Sequence, residues 1–178
     1  MLTRTMEDQV LMRAAVMGLP YRPLKTVPVS DLKIGLCRTP HWEQADEPTR
    51  AHVEGAAVWL SEAGADVSDF DLPDGFDSLE EAFDVVSAFE FSRALAYEWH
   101  NHRDKLSDRV KTERLEFGWS LSYAAYRAGL AALQDYRNRF HASLAGYDLL
   151  ITPSANGEAT ADLTTIGQAR FNRVWTAL

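Results

Sequence analysis

Two short apolar runs with one amphipathic helix between them constrain the fold of this chain more than any other feature. Leu32 to Cys37, containing Ile34 and Leu36, is nearly continuous in apolar residues, as in a strand covered on both faces. Val67 to Leu72 alternates instead, with Phe70 and Leu72 on one face, and ends in the turn Pro73-Asp74-Gly75. Between them, Asp46-Glu47-Pro48 opens a helix whose acidic residues suit the positive end of the dipole and whose proline suits the first turn. Val53, Ala56, Ala57 and Leu60 form its buried stripe, and Gly64 ends it. Strand, helix and strand within about 40 residues make a βαβ unit, so the two strands are expected to be parallel. The fold class is therefore α/β: a mixed sheet with a βαβ unit, covered by long helices.

The flanking segments supply those helices. Thr5-Met6-Glu7-Asp8 reads as a capping box, after which Val10, Ala14 and Met17 share a face and Gly18 stops the helix. Pro20, Pro23 and Pro28 make the next stretch an extended connector. From Ser78, paired with Glu81 as a second capping box, Leu79, Phe83, Val86 and Phe89 keep helical spacing. The charged stretch from His100 to Glu116 reads as a solvated bend or frayed helix. A long helix follows, with Leu121, Ala125, Ala128, Ala132, Tyr136 and Phe140 on one face, Ser120 as its cap and Gly146 beyond its end.

That glycine leads into the tail, Tyr147 to Leu178. Asp148-Leu149-Leu150-Ile151-Thr152 is a short strand stopped by Pro153, followed by a polar loop and then Phe171-Asn172-Arg173-Val174-Trp175-Thr176. A strand running into Thr-Pro and a Ser/Asn/Gly loop places polar side chains at the carboxyl edge of a sheet, where open α/β sheets bind ligands. The tail carries no catalytic group of its own.

Other chemistry is excluded or reduced by the residues present. At 178 residues, 46% of them apolar, the chain can bury a substantial core, and its length suggests one domain. A net charge of −8 argues against nucleic acid as a direct partner. No apolar run approaches the ~18 residues that span a bilayer, and Glu7-Asp8 stands where a signal peptide needs basic and then apolar residues, so neither membrane nor export is indicated. Cys37 is the only cysteine, which leans towards a reducing, cytoplasmic setting; on an apolar strand it reads as packing rather than as a nucleophile. His100 and His102, two apart on a helix, cannot face one ion. Asp69 and Asp71 project to the same side of a strand and read as a solvated edge. Ser120 and Ser122 imitate a nucleophile elbow only loosely, lacking its second glycine. The ten glycines are scattered, with no Gly-Gly, Gly-Ser or Ser-Gly pair, so no phosphate cradle is drawn. No cofactor and no metal site is expected.

Five landmarks in order resemble the amidase signature family. Leu2-Thr3-Arg4-Thr5-Met6-Glu7-Asp8 is similar to the helix start that follows that family's Gly/Ser-rich signature. Leu32-Lys33-Ile34-Gly35-Leu36 and Glu62-Ala63-Gly64-Ala65-Asp66-Val67 are similar to its strand and to its helix ending in Gly-Ala before a second strand. Tyr147-Asp148-Leu149-Leu150-Ile151-Thr152-Pro153 and Phe171-Asn172-Arg173-Val174-Trp175-Thr176 are similar to two later segments. Each motif is weak alone, but together they cover essentially the whole chain.

The resemblance implies a partial amidase-signature fold, with residues 1–178 forming a single partial amidase domain truncated at both ends relative to the family. Family members hydrolyse carboxamides with a Ser, a second Ser carrying a cis peptide bond, and a Lys, all placed before the point that matches Thr3. The chain also stops before the family's usual Gly-x-Pro and final core strands. The resemblance puts Thr152, Pro153, Asn172, Arg173 and Trp175 near the acyl or leaving-group pocket of a small carboxamide substrate, while Phe171 and Trp175 serve equally well as core. It implies no amide hydrolysis by these residues alone.

A second reading is a non-catalytic binding or assembly subunit, such as an amidotransferase A-subunit-like module of the complex that corrects misacylated tRNA. A third is an independent small α/β enzyme. Strand edges and apolar faces without cover further predict self-association.

Overall fold

The structure, a computed structural model, describes residues 3–159, 161–162 and 169–178. Leu2 of the first landmark and residues 160 and 163–168 of the tail loop lie outside the described residues.

Three strands form one sheet in the order β2-β1-β3: β1 is Lys33–Leu36, β2 Asp66–Asp69 and β3 Leu149–Ile151. Ile34 lies opposite Val67 on one side and Leu149 on the other. Because β1 is central, Ile34, Leu36 and Cys37 are buried, as their apolar run requires. Both pairings are parallel, so an antiparallel member of a mixed sheet is not among the described strands. Helix α2, Glu47–Glu62, joins β1 to β2 in the expected βαβ order. The Asp46 side chain accepts from the amide of Thr49 at 2.8 Å, and Val53, Ala56, Ala57 and Leu60 are its inward residues.

The main helical layer is α3, Leu79–Ala94, packed on α7, Tyr123–Ser143. Its buried stripe on α7 differs from the expected one: Gly129 and Leu133 are buried, and Ala128 is exposed. The glycine is the reason. A Cβ at Gly129 would stand 3.0 Å from Val86 Cγ2, so the absence of a side chain there lets the two helices approach, and the packing centre moves one residue along. Leu133 then joins Phe76, Leu79, Val86, Val174 and Ala177 in the core. Val174 and Ala177 come from α8, Arg170–Ala177, which closes this cluster.

Three local expectations need correction. Ser78 makes no side-chain cap, because it ends a single 3-10 turn, Phe76–Ser78, with φ −89° and ψ 0° rather than the extended geometry of a capping residue. The cap of α7 is Ser122, which accepts from the amide of Ala125 at 3.1 Å, whereas Ser120 Oγ donates to the carbonyl of Phe117 at 2.7 Å. Of the two readings of His100 to Glu116, a solvated bend or a frayed helix, the bend is wrong and the segment is broken helix. It contains the end of α4, Ala96–Asn101, a 3-10 turn, the short α5, Asp108–Val110, and a π-helical stretch, Lys111–Glu116, that runs into α6, Phe117–Ser120. Leu115 in the π stretch is fully buried, which the surrounding charges concealed.

Helix α1, Met6–Met17, has the Thr5 half of the expected capping box and the expected stop: the Thr5 hydroxyl accepts from the amide of Asp8 at 3.1 Å and Gly18 takes φ 62°. Of its expected stripe only Ala14 is buried, while Val16 and Met17 are 70% and 61% exposed, because no other described element packs broadly on it. No helix among the described residues is long and apolar enough to cross a membrane.

Candidate functional site

Parallel strands release their following loops at the same sheet edge. β1 runs into Arg38-Thr39-Pro40-His41 and β3 into Thr152-Pro153-Ser154, so both loops meet there. Helix α8 lies against them. Phe171, 1% exposed, presents its ring edge-on to His41 with centroids 6.2 Å apart, and Asn172 Nδ2 donates to the carbonyl of Ser154 at 2.9 Å.

The first turns of α3 face α8 with two carboxylates. Arg173 donates from Nη2 to Asp84, its Nε lies 3.8 Å from Glu80 Oε2, and its guanidinium stands 5.8 Å from the centre of the Phe83 ring. The other oxygen of Glu80 is hydrogen-bonded to His41 Nε2, and Gln44 Nε2 stands 3.4 Å from His41 Nδ1. If Gln44 donates there, the ring proton is on Nε2 and points at Glu80. Arg170 donates to the Gln44 side-chain oxygen. A continuous polar chain therefore runs Arg170, Gln44, His41, Glu80, Arg173, Asp84 across three segments remote in sequence.

Beside this chain lies a groove of about 1160 Å³, lined in part by Asp84, Arg114, Phe117, Ser154, Asn172 and Arg173. Asn172 and Arg173 are thus brought together on one wall, next to the loop after β3. Thr152, Pro153 and Trp175 are not among its lining residues. Pro153 is buried, and Trp175 is partly buried against the core, its ring centre 6.0 Å from that of Phe140. Among the described residues four buried side-chain polar atoms lack a hydrogen-bond partner, and three of them are Thr152 Oγ1, Arg173 Nε and Trp175 Nε1.

The other candidates take structural roles. Burial pushes the Cys37 thiol up, against a smaller opposing effect of its hydrogen bond with the Thr39 backbone, which suits an inert packed thiol. His100 sits edge-on to Trp119 and His102 edge-on to Tyr97, so the two rings address different partners. Asp69 is ion-paired with Arg38 at 2.7 Å.

His41, Gln44, Glu80 and Asp84 were not singled out from the sequence. The carboxyl-edge argument that selected Thr152 applies equally to the loop after β1 and would have found His41. The acids needed the packing of α3 on α8, for which local sequence gives no signal.

A protein-family model described as Amidase matches residues 4–171. The chain is 31% identical over 176 residues to a 2-amino-5-chloromuconic acid deaminase of Comamonas testosteroni, covering 93% of this chain and 37% of that protein. Among solved structures it is similar to an amidase crystal structure with TM-score 0.70 and 22% identity over 83% of this chain and 33% of that one. It is also similar to a 6-aminohexanoate cyclic dimer hydrolase with TM-score 0.62 and 19% identity over 98% of this chain and 44% of that one. At those identities the structures bear on the fold alone. The chain spans less than half the length of each of these relatives.

Proposed function

Because the chain belongs to the amidase family, we propose that its 178 residues form one wall of an amide-hydrolysing site whose nucleophile, base and oxyanion donors lie outside them. The observation that carries this reading is the position of the buried polar atoms that make no hydrogen bond, one of which, Arg173 Nε, is ion-paired with Glu80 at 3.8 Å. Buried polar groups are nearly always hydrogen-bonded, and leaving one unpaired costs about 1–3 kcal/mol. Three of the four exceptions fall on Thr152, Arg173 and Trp175, residues that the family resemblance assigns to the pocket. A substrate or an adjoining segment that pairs with them removes that cost.

Amide hydrolysis by a Ser-Ser-Lys route needs a proton-accepting Lys beside the bridging Ser, a nucleophilic Ser, and backbone amides aimed at the developing oxyanion. Losing one oxyanion donor costs about a hundredfold or more in rate. The 178-residue chain is therefore expected to release no ammonia from simple carboxamides. Co-expression with a family segment that carries the Lys and the Gly/Ser-rich signature is expected to produce turnover. Hydrolysis by the chain alone that survived replacement of its serines would overturn the reading.

A second reading, an assembly module, is favoured by α1 and the connector after it. Val16, Met17, Tyr21 and Val27 are each about half exposed or more, and apolar surface left open in this way favours a partner. Light scattering at micromolar concentration is expected to show a dimer or larger, reduced to monomer by Val16→Glu with Met17→Glu. A monodisperse monomer from the unsubstituted chain would remove this reading.

A further inference from the structure

We propose that the groove beside α8 holds the carboxylate of an acid amide, with Arg114 and Arg170 as the residues that bind it. The amide half of that ligand rests on the amidase reading above, and the acid half on the charges of the groove. Four arginines, Arg109, Arg114, Arg170 and Arg173, line it against three carboxylates, Glu81, Asp84 and Glu113. The chain as a whole carries 18 basic residues against 26 acidic ones, so this local excess of cations runs against its overall charge.

Pairing then separates the four. Arg173 is taken up by Asp84 and Glu80, and Arg109 by Glu113 at 3.0 Å. Arg114 reaches only Ser87 Oγ, at 3.4 Å, and Arg170 only the neutral amide of Gln44; among the described residues neither meets a carboxylate. Glu81, the remaining lining acid, makes no ion pair among the described residues, which leaves two guanidiniums against one anion. A guanidinium presents parallel N–H donors that match both oxygens of a carboxylate, and such charge-assisted pairs are stronger than neutral ones. Arg114 also stands in the π-helical stretch, a winding frequent at functional sites. On the same groove, Asn172 uses its Nδ2 on Ser154, while its Oδ1 has no partner among the described residues and can accept from an amide N–H.

The test is binding of succinamate and of its neutral counterpart succinamide to the full chain, measured by calorimetry and by NMR of the arginine Nε–H groups. At low salt succinamate is expected to bind at least about tenfold more tightly, the gain of one charge-assisted contact. Arg114→Gln and Arg170→Gln are each expected to shrink that preference, and Arg109→Gln, whose parent side chain is held by Glu113, to leave it. Equal affinities, no binding of either probe, or a preference untouched by both variants would overturn the proposal. Succinate binding as tightly as succinamate, weakened by both variants, upholds the carboxylate subsite and counts against the amide reading. Hydrolysis of neutral carboxamides by the co-expressed enzyme, with no preference for acids, does the reverse.

Discussion

Gly118→Ala is expected to lower the melting temperature by roughly 10 °C, because the methyl group has no space and its nearest neighbour is main chain. An ideal Cβ at Gly118 would stand 2.1 Å from the carbonyl oxygen of Ala88 and 2.7 Å from Ser92 Oγ. Neither can rotate away. Ala88 O belongs to the backbone of α3, and Ser92, fully buried, is held by its own hydrogen bond to the carbonyl of Phe89 at 2.8 Å. Arg93 ties the same crossing together, donating to the Gly118 carbonyl while its guanidinium lies 3.7 Å from the centre of the Phe89 ring. Overpacking of this kind costs about 3 kcal/mol or more when backbone must move. In a domain of this size, 1 kcal/mol shifts the melting temperature by about 2–4 °C. Gly55→Ala is the internal control: it lies in α2 with nothing within 4 Å of its Cβ, so it is expected to stabilise by about 0.5–1 kcal/mol. Thermal melts of the two variants moving in the same direction would overturn the account of this helix crossing.

The contrast between these glycines shows what a sequence of this kind discloses. Local signals were legible: the cap at Thr5, the Asp46-Pro48 start of α2 and its stripe, and the βαβ order all follow from period and capping chemistry. The polar loop after β3 was legible for the same reason, since a strand that ends in Thr-Pro has few other readings. Features set by two segments at once were not. Gly118 carries no local sign of its close contact until α3 lies across it, and the stripe of α7 moves by a residue because Gly129 admits Val86. Leu115 sits among the five polar or charged residues of the stretch Lys111–Glu116, and a π turn packed under α3 accounts for its burial. The candidate site divides in the same way. Asn172 and Arg173 were read from one short motif, whereas Glu80, Asp84 and His41 enter through contacts spanning 39 to 89 residues of separation.

That division makes Phe171 the residue on which the site depends most. At eight residues, α8 is too short to hold a helix in water without packing, so its position rests on the inward side chains Phe171, Val174 and Ala177. Phe171 is the largest of these, 1% exposed, and its ring meets His41 edge-on. Phe171→Ala removes the ring and leaves a cavity at the junction of α8 with the loop after β1, which costs about 3–5 kcal/mol. The melting temperature is expected to fall by roughly 10 °C or more. Phe171→Leu keeps much of the volume and is expected to lose about 1.5 kcal/mol or less. Asn172→Ala, one residue away, removes a single exposed hydrogen bond to Ser154 and is expected to change stability by under about 1 kcal/mol. The site should follow the same order. Without the anchor, Arg173 loses the support that aims it at Asp84 and Glu80, and Asn172 moves off the groove wall. The arginine Nε–H resonance of Arg173 is then expected to collapse towards the solvent-exposed envelope in Phe171→Ala at temperatures below its melt, and to stay resolved in Phe171→Leu. A variant Phe171→Ala that melted with the parent and kept that resonance would show that α8 is held by something other than its apolar face.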